Sequence, residues 1–266
     1  MIGGFPNKNL YLNKKSLYHH FPLLNVIDKM NSAISHRGPD AQAEQTLNCA
    51  NHLIWFGHAR LSILDLSEAG AQPMKSHNHR WHIVFNGEIY NHNDLRRSEH
   101  HYRGHSDTET LIELLSNKGL DQTLPLLNGM YAFAALDKQE KKIHLVRDPF
   151  GIKPLYFHIH QGTLSFASEL RTLYAMGIKP DLNEDALQTF LSLRYNPSPQ
   201  TLLKGIHRLP PGHHLTFDLT TSKYSIERYI LPTKHRFIGP ESVAIRSYEF
   251  ELRNAVSRQL ISDVPV

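Results

Sequence analysis

Cysteine is almost absent: Cys49 is the only one in 266 residues. That excludes an internal disulfide and a zinc site built on several thiolates. No apolar run approaches the roughly 20 residues that cross a bilayer as a helix. The opening stretch Met1-Ile2-Gly3-Gly4-Phe5-Pro6-Asn7-Lys8 lacks the charged region and apolar core of a secretion signal. These absences predict a cytoplasmic protein with no membrane partner. Charge of one sign is not concentrated either. The 29 Lys and Arg against 25 Asp and Glu leave a net +4, and the basic residues are scattered. No basic arm suited to nucleic acid is present. Histidine is plentiful, with 19 copies, including His19-His20, His77-Asn78-His79, His100-His101 and His213-His214. None shows the i, i+4 spacing with a Glu that a zinc hydrolase uses, so no metal site is expected.

The stretch Trp81-His82-Ile83-Val84-Phe85-Asn86-Gly87-Glu88-Ile89-Tyr90-Asn91 is the most informative one present. Ile83, Val84 and Phe85 form a short β-branched and aromatic run, which predicts a strand. Asn86-Gly87 predicts a sharp break after it. Gly87 has no Cβ, so its N–H can approach a ligand closely. The Asn86 amide can donate beside it, and together they could hold an oxyanion. Glu88 adds a carboxylate. Read alone, the stretch is better explained as a plain hairpin turn.

Around it, residues 23–34 have helical periodicity through Leu23, Leu24, Ile27, Met30 and Ile34, and His36-Arg37-Gly38-Pro39-Asp40 ends that helix. Residues 53–63 read as a buried strand. Ser106-Asp107-Thr108-Glu109 is a capping box opening a helix that ends near Lys118-Gly119. Strands are expected at 130–136, 143–147, 155–159 and 164–167. Asn183 caps a further helix, 196–199 reads as a linker, a strand follows at 214–217, and a last helix lies near 241–260. Residues 7–21 read as a long polar connection.

Several of these segments together resemble one family, the glutamine-hydrolysing asparagine synthetases. They are His36-Arg37-Gly38-Pro39-Asp40, Gly57-His58-Ala59-Arg60-Leu61-Ser62-Ile63, Phe85-Asn86-Gly87-Glu88-Ile89-Tyr90-Asn91 and Ser106-Asp107-Thr108-Glu109. Arg147-Asp148-Pro149-Phe150-Gly151-Ile152-Lys153-Pro154-Leu155-Tyr156 and Ser168-Glu169-Leu170 follow in the same order. One such motif is weak; six in order are strong. The resemblance implies a class II glutamine amidotransferase domain of the N-terminal-nucleophile hydrolase type. Its fold would be α+β, a four-layer αββα sandwich, followed by the start of an α/β ATP-pyrophosphatase domain. The implied boundaries are 1–180 for the amidotransferase, 181–239 for a linking segment and 240–266 for the opening of the synthetase domain.

The resemblance also implies site roles. Arg60 would grip the α-carboxylate of L-glutamine, as a guanidinium can with two parallel hydrogen bonds. Glu88 and Asp107 would face its α-ammonium. Asn86 and Gly87 would form the oxyanion hole, and Leu61, Ser62, Ile63 and Leu64 would line the pocket. The family nucleophile is an N-terminal Cys whose own amine is the base. This sequence has Met1 and Ile2 there, neither a nucleophile, so no catalytic residue is expected at that position. Cys49, in Leu47-Asn48-Cys49-Ala50-Asn51, reads as a structural cysteine at a turn or strand edge. The Ser262-Asp263-Val264-Pro265-Val266 ending leads, in the family, toward an ATP loop. Aspartate, ATP and magnesium would belong to that further part, with no cofactor in this chain; a homodimer is one assembly the family allows. The expectation is therefore a glutamine pocket without glutaminase or synthetase activity in this chain. Two other readings stay open: a non-catalytic glutamine-binding domain, and a relative like the β-lactam synthetases that does not use glutamine.

Overall fold

A computed structural model describes residues 1–4, 21–179, 181–231 and 237–265. In chain order the elements open with β1 (Ile2–Gly4), α1 (Phe21–Ile34), β2 (Ala41–Cys49), β3 (His52–Arg60), β4 (Met74–Lys75) and β5 (Trp81–Ile89). Next come α2 (His92–Leu95), α3 (Asp107–Lys118), α4 (Leu120–Thr123), β6 (Gly129–Asp137), β7 (Lys142–Arg147), β8 (Tyr156–His160) and β9 (Thr163–Ala167). The last are α5 (Leu170–Ala175), α6 (Glu184–Leu193), β10 (Ile206–Arg208), β11 (His213–Asp218), β12 (Tyr224–Arg228) and α7 (Glu241–Arg258). The polar connection expected at 7–21 falls almost wholly outside the described residues.

Two six-stranded sheets form, ordered β10-β8-β9-β1-β3-β2 and β12-β11-β7-β6-β5-β4. The short strand β1 sits inside its sheet, with Ile2 opposite Gly57 on one side and Ala167 on the other. The sheets share an apolar layer. Ile54 and Phe56 of β3, with Phe157 and Phe166, meet Val84, Ala132, Ala134, Leu145 and Phe217 there. The outer face of the second sheet presents Ile83, Phe85, Tyr131 and Phe133 to Leu111, Ile112 and Leu115 of α3. The outer face of the first packs Trp55 and Ala167 with Met30 and Ile34 of α1 and Leu173 of α5. The result is the expected αββα sandwich. It also explains why β5 reads as an unbroken apolar run: Val84 points to one buried layer and Ile83 and Phe85 to the other.

One expectation needs correction. The strand does not break at Asn86-Gly87. It runs on to Ile89, with Asn86 opposite Ala132 and Gly87 opposite Tyr131. Gly87 absorbs the distortion inside the ladder at φ +155, where a Cβ would come within 2.1 Å of the Met130 carbonyl oxygen. The segment 181–239 contributes strands to both sheets: its β10 pairs with β8 and its β11 with β7. Beyond it, α7 buries none of its residues. Residues 240–265 contain no strand among those described, and no ATP-pyrophosphatase fold is seen. Among the described residues no helix is long and apolar enough to cross a membrane.

Candidate functional site

A cavity of about 220 Å³ opens where the ends of β1, β3 and β5 meet the first turn of α3. Its walls include Arg60, Leu61, Ile63, Leu64, Asn86, Gly87, Glu88 and Asp107. Segments separated in sequence thus supply one site. Ser62 is not among the lining residues; its backbone N–H donates to Asp40 Oδ2 at 2.7 Å. That bond joins the 36–40 loop to the end of β3. Gly38 lets the loop lie flat there, since a Cβ would come within 2.2 Å of the Ala59 carbonyl carbon.

Arg60 is the last residue of β3 and turns back on the loop that follows. Its guanidinium donates to the carbonyls of Ser67 (3.0 Å), Leu64 (3.5 Å) and Asp65. It therefore shapes residues 64–67 as well as lining the cavity, which leaves fewer N–H groups for a ligand than a free arginine has. Gly70 makes room for it, as a Cβ would meet Arg60 Nη2 at 2.3 Å. The same loop is held from the far end of the chain. The Asp65 N–H donates to Asp263 Oδ2 at 2.7 Å and the Asp263 N–H to the Ile63 carbonyl at 2.9 Å. His105 Nε2 reaches the same Asp263 oxygen at 2.6 Å.

Asp107 follows the N-cap Ser106, whose hydroxyl accepts the Glu109 N–H at 3.2 Å as the capping box predicts. The Asp107 carboxylate is buried and accepts the Ile89 N–H at 2.9 Å. Burial nonetheless pushes its carboxyl up to about 6. Glu88 is also raised, by burial first and by the neighbouring Asp107 second. Two carboxyls strained in this way suit an incoming cation. Beside them Asn86 Nδ2 donates to Ser168 Oγ at 3.5 Å, which orients the amide and leaves its second N–H for a ligand.

Sequence reasoning missed several lining residues. Gln72 bridges the two halves of the site, accepting the Phe85 N–H at 2.6 Å and donating to Thr108 Oγ1 at 3.2 Å. His58 donates from Nε2 to the Phe85 carbonyl at 3.1 Å, and burial lowers it to about 3, so it is a neutral brace between β3 and β5. Lys153 also lines the cavity, and burial lowers its ammonium below the usual range. Its loop is fixed by Asp148, which accepts the N–H groups of Phe150, Ile152 and Lys153, each at 3.0 Å. Arg37 completes the cationic side and pairs with Glu169 at 3.2 Å. The motif residues were visible, but nothing in their spacing says that Lys153 and Arg37 share a cavity with Glu88.

Met1 lines the cavity too, with its carbonyl accepting the Ser168 N–H at 3.1 Å. As the α-amine of this chain, its nitrogen is held down to about 5 by burial and then by Arg37. Cys49 lies elsewhere, buried at the end of β2, with its thiol pushed up by burial. Among the described lining residues there is no thiol.

A family profile described as a glutamine amidotransferase domain matches residues 13–230. A Methanocaldococcus jannaschii protein provisionally named asparagine synthetase (glutamine-hydrolysing) 2 is 35% identical over 261 residues, covering 90% of this chain and 50% of its own length. Asparagine synthetase (glutamine-hydrolysing) 1 of Bacillus subtilis is 31% identical over 249 residues, covering 91% of this chain and 38% of its own. The chain thus spans about half or less of the length of these relatives. Among solved structures, the B. subtilis glutamine phosphoribosylpyrophosphate amidotransferase superposes with a TM-score of 0.58 at 16% identity, covering 87% of this chain and 49% of that one. That likeness supports the sandwich fold. Fold, cavity and sequence relationship agree, and the chain belongs to the class II glutamine amidotransferase family, with relatives named glutamine-hydrolysing asparagine synthetases.

Proposed function

We propose that the cavity binds L-glutamine. One observation carries this reading: a single cavity is lined by two carboxyls with raised pKa values, an amide with a free N–H, and cationic groups. An amino acid presents the complementary pattern, an ammonium and a carboxylate on one carbon. In this reading Glu88 and Asp107 face the α-ammonium and Arg60 the α-carboxylate. Asn86 and the Gly87 N–H address the side-chain amide oxygen, and Leu61, Ile63 and Leu64 cover the methylenes. Charge-assisted bonds at the amino-acid end supply most of the affinity.

The reaction of the whole protein is part of the same proposal. It is the ATP-dependent conversion of aspartate and glutamine to asparagine and glutamate in the cytoplasm. No residue of this chain is assigned to ATP, magnesium or aspartate. With no thiol among the described residues that line the cavity, we propose that this chain binds glutamine without hydrolysing it at a family-like rate.

Calorimetric titration with L-glutamine tests the binding, and glutamate release tests the second part. Saturable binding that Asp107→Asn weakens is expected, with no turnover. Undetectable binding at millimolar glutamine, in protein shown to be folded, would overturn the first part. Turnover that disappears in Cys49→Ala would overturn the second.

A further inference from the structure

On the flank of α3, three ligating groups converge from separate stretches. His77 comes from the turn between β4 and β5, His100 from the loop between α2 and α3, and Glu113 from α3 itself. Their ligating atoms lie within 4.8 Å of one another. The Glu113 side chain is only 3% exposed. One of its oxygens accepts the His77 backbone N–H at 2.8 Å, and the other lies 3.5 Å from His100 Nε2. That imidazole nitrogen is buried and has no hydrogen-bond partner. A buried nitrogen left in this state costs free energy unless something else satisfies it. The two imidazoles stack at 5.0 Å, and Tyr102 packs edge-on against His100 at 4.7 Å. The neighbouring carboxylate, Glu109, accepts the backbone and side-chain N–H groups of Arg103 at 2.8 and 3.0 Å and lies 3.7 Å from His77 Nε2.

We propose that His77, His100 and Glu113 bind a divalent first-row metal ion, with zinc the best match. Two imidazoles and one carboxylate form a mixed nitrogen and oxygen set that suits zinc, whereas magnesium and calcium take oxygen ligands. Bonds of about 2.0–2.1 Å in a tetrahedron set ligand atoms roughly 3.3 Å apart. The His100–Glu113 separation of 3.5 Å is already near that edge. His77, whose side chain is 33% exposed, can turn to close the rest. The fourth position is left to water. Bound there, the ion fastens the β4–β5 turn and the 96–106 loop to α3, the helix whose first residue lines the glutamine cavity. The ion is thus a clamp on the outside of the site. Its ligands come from three separate elements, which is why a search for helical spacing does not reveal them.

The test uses the full chain, stripped with a chelator and titrated with zinc chloride against a chromogenic competitor. Unfolding midpoints are followed in parallel, and cobalt substitution reports ligand geometry through its visible spectrum. The expected result is one equivalent of zinc, a raised unfolding midpoint and a tetrahedral cobalt spectrum. Loss of a group outside the direct ligands already weakens metal sites about 10–100-fold, so His77→Ala should cost at least tenfold. Because His77 is partly exposed, that variant should fold, and His79→Ala and His101→Ala serve as neighbours that leave affinity unchanged. A wild-type chain that takes up no stoichiometric zinc would overturn the proposal. So would one equivalent bound as tightly by His77→Ala as by wild type, since the ion would then sit on other histidines.

Discussion

At Asp107, binding and stability pull in opposite directions. Burial raises its carboxyl from an ordinary 3.8 to about 6, so the folded chain holds this proton more tightly than the unfolded chain does. Stability is therefore fully present below the ordinary value and falls as pH rises through the folded one. A shift of this size amounts to ~3 kcal/mol at neutral pH. Asp107→Asn removes that cost and gives up about 0.3–1 kcal/mol of helix-dipole interaction. Urea unfolding of the glutamine-free variant should show a net gain of about 1–3 kcal/mol at neutral pH and almost none below the ordinary carboxyl range. Glutamine affinity should move the other way, and in the wild type it should strengthen as pH climbs through about 6, because the ammonium needs the ionised carboxylate. Arg60 combines two jobs as well. Arg60→Ala strips donors from three loop carbonyls, with an expected loss of about 1–2 kcal/mol in stability and roughly tenfold to a hundredfold in glutamine affinity. Arg60→Lys should restore neither, since one ammonium cannot reproduce the planar fork. Titration calorimetry with parallel melts checks all three variants. Asp107 is legible in sequence through the capping box that opens its helix, whereas Arg60 stands out only through the resemblance carried by residues 57–63. Gln72 and His58 are not, because their meaning is a contact with Phe85 that exists only after folding.

Among the elements, β5 shows how far local chemistry can be read. Its apolar run and the capping box of α3 are both plain in sequence, and both fold as read. The Asn86-Gly87 dipeptide favours a turn locally, but continuous pairing with β6 overrides it. The strand β2 escapes notice for the opposite reason. As an edge strand its outer positions are exposed, so Ala41–Cys49 carries no apolar run to betray it. The cost of overriding the turn falls on one residue. Gly87→Ala would place a Cβ 2.1 Å from the Met130 carbonyl oxygen at a backbone angle that L-residues avoid. The β5–β6 ladder would have to part there, with an expected loss of about 2–4 kcal/mol. Chemical denaturation measures it; a melt within error of wild type would show that the ladder can yield locally.

Across the whole molecule, the described residues near the far end of the chain reach back to the cavity. Asp263 holds the Asp65 N–H and His105 together, and its own N–H holds Ile63. Motif order in the sequence suggested that the C-terminal stretch leads elsewhere, and gave no sign of this contact. Asp263→Ala should loosen the 61–67 loop and weaken glutamine binding roughly 3–10-fold, although the residue lines no part of the cavity. Hydrogen exchange at the Asp65 amide, compared with titration of glutamine, would separate a coupled loop from an idle contact. The short strand β10 was likewise illegible, because it acquires its partner only through β8, far back in the chain. The interior place of β1 has a consequence for assembly. Its partners, β3 and β9, bring Gly57 and Ala167 to either side of Ile2. Until the later partner arrives, β1 is the edge of a partial sheet with β3 and β2, and one row of its hydrogen-bonding groups is unpaired. Contacts this distant are slow to form, and open edges invite pairing with other chains. A growing polypeptide of this design therefore cannot shut its own sheet before Ala167 has been made, and until then an edge meant for the interior stands open to its neighbours.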